Sequence, residues 1–93
     1  MKNKKDYKEN FQLIRSVINN LDPMNLIKNG APKDEYDAEV SLIVAGLKNC
    51  KDVKDLQELI HDIFKTNFNE KTVLDSDFYS RIAHGIFKVL AEK

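Results

Sequence analysis

Apolar residues recur along this chain at helical spacing, and no stretch of useful length alternates as a strand would. Tyr7, Phe11, Ile14, Ile18 and Leu21 step by four, three, four and three, which draws one stripe on a helix of about five turns. Val17 widens the stripe and Leu13 sits at its flank. Asp22-Pro23 then restarts the chain, since Asp can cap a helix and Pro suits its first turn. Met24, Leu26 and Ile27 follow before Asn29-Gly30 supplies a C-terminal stop, so one short helix is expected there.

Pro32 biases Ala31 to an extended shape and breaks the path again. Asp34 is the expected N-cap of the next helix. Tyr36, Val40, Ile43 and Leu47 fall within about 60° of one another on its surface, a narrow and strongly buried face, and Lys48-Asn49 closes it. Asp52 starts a third long helix with a broad apolar face of Val53, Leu56, Leu59, Ile60, Ile63, Phe64 and Phe68. Residues 66–75 read as a polar connection with Val73 and Leu74 turned inward, and Asp75 or Ser76 caps the last helix. Its inner face carries Phe78, Tyr79, Ile82, Ile86, Val89 and Leu90. Gly46 and Gly85 lie inside helices, where a close helix crossing is the usual reason to keep a glycine. The pattern predicts an all-α fold, a small antiparallel helical bundle of four long helices plus one short helix. One domain over residues 1–93 is expected, with residues 1–5 as a tail.

Composition narrows the function more than the fold. Hydrophobic residues make up 42% and charged residues 32% of 93, the balance of a globular chain. Fifteen basic residues oppose fifteen acidic ones, which gives no long-range pull towards nucleic acid or an anionic membrane. No apolar run approaches the roughly 20 residues that span a bilayer, and the N-terminal MKNKKDYKENF has no apolar signal core. The single cysteine, Cys50, cannot form an intrachain disulfide, so the expected location is the reducing cytoplasm.

The stretch NGAPKDEYDAE concentrates four acids: Asp34, Glu35, Asp37 and Glu39. Acids in the first turn of a helix meet the positive end of its dipole, and Asp34 with Asp37 three residues on resembles a short capping box. Glu35 and Glu39 are less well explained by capping and are expected to stand outermost. These four are the candidate partner-binding residues, with a basic protein as the expected partner. The competing reading is a metal-binding protein or small hydrolase using this cluster with His61. Hard cations need oxygens that converge, however, and helical geometry sends Asp37 to the opposite side from Glu35 and Glu39.

Other chemistry is thinner. His61 and His84 fall on different helices with no zinc-type spacing. Nothing near Cys50 argues for a lowered pKa. Asp75-Ser76 is followed by Asp77, not the Leu of a carrier-protein attachment motif, and the isolated glycines build no phosphate loop. The turn around residues 49–52 imitates a helix-turn-helix, but the following helix presents a mixed-charge surface poorly suited to a major groove. No catalytic residue, metal or cofactor is assigned. Phe87 and Leu13, at the flanks of their stripes, offer a further route through self-association.

The run INNLDPMNLIKNGAPKDEYDAEV resembles the signature of a YugE-like small bacterial family of unknown function. Its elements stand here as Asp22-Pro23, Gly30-Ala31-Pro32 and Asp34-Glu35-Tyr36-Asp37, and DLQELIHDIFKTNF fits the family's following helix. Leu21 stands where family members are expected to carry Trp. The resemblance implies a small helical fold in a bacterial cytoplasm and supplies no activity. Together these readings point to a non-enzymatic protein-interaction module.

Overall fold

The first helix ends where Asp22 turns the chain through a left-handed conformation (φ 50°), its N–H donating to the Ile18 carbonyl at 2.7 Å. In the computed structural model, which describes residues 4–24, 26–68 and 76–92, α1 is Lys4–Leu21, α2 Asp37–Gly46, α3 Val53–Phe68 and α4 Ser76–Ala91. A 3₁₀ turn, Leu47–Asn49, extends α2. The expected all-α bundle stands. In it α1 packs on α2 and α4, and α3 packs on α2 and α4, closing the ring around one core. Residues 4 and 5, expected in a tail, are already helical.

The stripes predicted from spacing supply the core. Ile14 and Ile18, Tyr36, Val40 and Ile43, Leu56 and Ile60, and Tyr79, Ile82 and Ile86 are all buried. Tyr7, at the start of the first stripe, is instead 45% exposed and stacks on Phe11. The two helical glycines mark close crossings as expected. A Cβ at Gly46 would sit 2.8 Å from Leu59 Cδ2, and one at Gly85 would sit 3.1 Å from Val17 Cγ1. Contacts between Tyr7 and Ser41 and between Arg15 and Asp37 run α1 antiparallel to α2. Those between Glu39 and Asn67 and between Gly46 and Leu59 do the same for α2 and α3. The first turn of α4 crosses the middle of α3, with the Ser76 carbonyl accepting from Gln57 and Tyr79 against His61 and Phe64.

Two boundaries differ from the sequence reading. The expected short helix after Pro23 is a set of turns among the described residues. The expected stop works nonetheless: Gly30 adopts φ 104°, its N–H donates to the Ile27 carbonyl and the Ala31 N–H to that of Leu26, the bond pair of a Schellman motif. The second difference is the start of α2, at Asp37 rather than Asp34. Residues 33–36 form tighter turns, with the Glu35 N–H on the Pro32 carbonyl and the Asp37 N–H on that of Asp34. Tyr36 occupies the N-cap position without a side-chain cap bond, so neither Asp34 nor a capping box begins the helix.

Farther along, Asp52 does cap α3, accepting the Asp55 N–H at 2.9 Å, while Asp55 reaches back to the Lys51 N–H at 3.0 Å. That helix runs through Phe68, so residues 66–68 are helical rather than connecting. Val73, Leu74 and Asp75 lie outside the described residues.

Two substitutions test this account. Ile60→Ala, at a fully buried position, should destabilise by about 2–5 kcal/mol in urea unfolding. Asp34→Ala, at an exposed position that caps nothing, should stay within about 0.5 kcal/mol of the native chain. A cost near 1 kcal/mol at Asp34 would restore it as a helix cap.

Candidate functional site

The signature residues meet at one phenol. Tyr36 is fully buried, and its O–H donates to Asp22 Oδ1 at 2.7 Å. Its oxygen accepts the Met24 N–H at 2.9 Å and, more weakly, the Leu26 N–H at 3.5 Å. The Asp22 carboxylate also accepts the Ile27 N–H at 3.1 Å and the Lys28 N–H at 2.8 Å. Asp22 therefore does bind backbone N–H groups, but as the anchor of a loop rather than as the cap of a helix. Asn19 adds a second tie from α1, donating to the Lys33 carbonyl at 2.8 Å. Below the hydroxyl, the Tyr36 ring packs against Phe64 and Phe68, each with ring centroids 6.3 Å away.

This network shifts both acids. Burial, then the hydrogen bond to Asp22, pushes the Tyr36 phenol up to about 12. At Asp22 burial favours the neutral acid, but the bonds from Tyr36 and the Lys28 and Ile27 N–H groups outweigh it and hold the carboxyl below its ordinary range.

The four candidate acids are divided by the same geometry. Asp34 and Glu35 are exposed. Asp37 lies toward α1, with Oδ1 3.0 Å from Arg15 Nε. Glu39 lies on the α3 side and is only 5% exposed, so it is not outermost; Oε2 accepts from Asn67 Nδ2 at 2.7 Å and Oε1 has no hydrogen-bond partner. The opposition expected between Asp37 and Glu39 is therefore seen. Among the described residues no group of three or more His, Cys, Asp or Glu side chains is placed to hold a metal ion.

Beyond the acids, the solvent face of α2 is apolar. Ala38, Leu42 and Ala45 recur at helical spacing opposite the buried stripe, and Leu42 is 47% exposed. A period-3.6 count on both sides of the helix would have found this face in the sequence; attention to the inward stripe alone misses it.

The remaining residues build little chemistry. His61 packs at a tilt against Tyr79 with ring centroids 4.8 Å apart, and His84 Nδ1 lies 2.8 Å from the Ser80 carbonyl of its own helix. Cys50 donates to the Gly46 carbonyl at 3.6 Å; burial first, then Asp55 and Asp52, pushes its thiol up, away from the thiolate a nucleophile needs. Cys50 borders an open groove of about 420 Å³ between Leu47, Leu56, Leu90, the exposed Phe87 and the buried Asn10. That groove joins four separate segments and no sequence spacing reveals it.

Across the segment holding Asp22, Tyr36 and everything through α4, a known family profile fits: the one described as a domain of unknown function, DUF1871, matches residues 12–91. The chain belongs to the DUF1871 family. No curated protein and no solved structure matched it. The matched DUF1871 region contains both partners of the Asp22–Tyr36 bond, and no helix of the described residues is long and apolar enough to cross a membrane.

Tyr36→Phe removes one hydroxyl and strands the Met24 N–H, so it should cost about 1–3 kcal/mol in denaturant unfolding. The native chain should also lose stability between pH 10 and about 12. The unfolded chain releases the phenolic proton from about pH 10 but the folded one only near 12, so the contribution is complete below pH 10 and declines above it. Tyr36→Phe should lose that part of the alkaline slope; an unchanged slope would mean Tyr36 titrates like an exposed tyrosine.

Proposed function

We propose that this protein is a non-enzymatic interaction module whose recognition surface joins the exposed acids Asp34 and Glu35 to the outward face of α2. The observation that carries the reading is Leu42, 47% exposed between the exposed Ala38 and Ala45. A helix apolar on both its inner and outer faces is ordinarily covered on both. Acids at one end of that face favour a partner surface that is basic beside an apolar strip. Asp37 and Glu39 belong to the same cluster in sequence, but their contacts with Arg15 and Asn67 leave Asp34 and Glu35 as its recognition residues. No nucleic-acid or membrane partner is assigned, because the charge is balanced overall. Within DUF1871 we place the chain with the YugE-like proteins on its Asp22-Pro23, Gly30-Ala31-Pro32 and Asp34-Glu35-Tyr36-Asp37 elements, and with them in a bacterial cytoplasm. No observation favours the metal or hydrolase reading.

A photo-crosslinking residue placed at Leu42 tests this in living cells, beside a control at the exposed Lys65 of α3. The proposal expects discrete crosslinked bands from position 42 that weaken when Glu35 is changed to Lys. Equal labelling from the two positions, or none from position 42, overturns it.

A further inference from the structure

We infer that the outward face of α2 pairs with the same face of a second copy of this chain, antiparallel across a two-fold axis. This rests on the interaction-module reading above and names its partner. Ala38 and Ala45 lie equally far from a point between Ser41 and Leu42, so an axis at that point sets each alanine against the other alanine of the partner copy and brings the two Leu42 side chains together. Small residues on both sides of Leu42 let the helix backbones approach closely.

Charge follows the same axis. The acidic turn of Asp34 and Glu35 lies at one end of α2, and the exposed Lys48 lies at the other. An antiparallel pair therefore sets the Asp34 end of each copy beside the Lys48 end of the other, whereas a parallel pair sets like against like.

Size sets the strength. Ten helical residues span about 15 Å, too short for the roughly 1,200 Å² of a standard stable interface. The dimer is therefore weak and dissociates on dilution.

Sedimentation equilibrium of the full chain from about 10 μM to about 1 mM covers the range in which such an interface associates. The native chain should pass from monomer to dimer. Leu42→Arg and Ala45→Arg, both at exposed positions, should remain monomeric at every concentration with native helical circular dichroism. Lys48→Glu should weaken association several-fold, and Asp34→Lys combined with Lys48→Glu should restore it. A strictly monomeric native chain overturns the proposal, as does dimerisation that survives both arginine variants or is abolished by Phe87→Ala instead. Failure of the double exchange to restore association overturns the antiparallel arrangement. If the native chain is monomeric while position 42 still crosslinks to a different protein, the interaction reading stands and only the second copy falls.

Discussion

The hydroxyl of Tyr36 ties the end of α1 and the loop that follows it to the start of α2. It lies in the core, where an unpaired polar group costs about 1–3 kcal/mol, and it is given partners on both its donor and acceptor sides. Those partners come from the end of α1 and from the loop that follows. Asp22 must adopt the left-handed conformation to reverse the chain at the end of α1, and the same residue binds the phenol and two N–H groups farther along. One carboxylate thus ends a helix, closes a loop and neutralises a buried hydroxyl's demand for an acceptor. The cost of a left-handed non-glycine residue, on the order of 1 kcal/mol, is small beside three charge-assisted hydrogen bonds.

Several features follow from fixing Tyr36. Its ring is pinned against Phe64 and Phe68, which sets α2 against α3. With that face turned inward, Asp37 is directed to Arg15 on α1 and Glu39 to Asn67 on α3. The acidic cluster is thereby divided between the interior of the fold and its surface, and Ala38, Leu42 and Ala45 are left facing solvent. The outward apolar face of α2 is a consequence of how that helix is anchored.

Much of this was legible in the sequence, in proportion to how local the cause was. The buried stripes of α2, α3 and α4 follow from spacing, and Asp52 follows from a cap that acts within three residues. The Gly30 stop was legible for the same reason. What was not legible depends on contacts across the chain. The start of α2 moves to Asp37 because Tyr36 is captured from fourteen residues away, a pull that no capping preference at Asp34 records. The short helix after Pro23 gives way to turns because its N–H groups find the Asp22 carboxylate and the Tyr36 hydroxyl instead of helical carbonyls. Glu39 looked outermost beside Glu35, but α3 covers it, and helix order is not written in the spacing of either helix. The Asp-Pro and Asp-Glu-Tyr-Asp elements could be read separately as turn and helix start; that they are two halves of one hydrogen-bonded unit needed the fold.

The coupling between those halves is the most direct measure of this account. A double-mutant cycle between Asp22→Ala and Tyr36→Phe, read by denaturant unfolding, isolates it. A coupling energy of about 1–3 kcal/mol is predicted, because either substitution alone already breaks the shared bond. Costs that add to within about 0.3–0.5 kcal/mol would contradict the account and leave the two residues as independent features of a turn and a core.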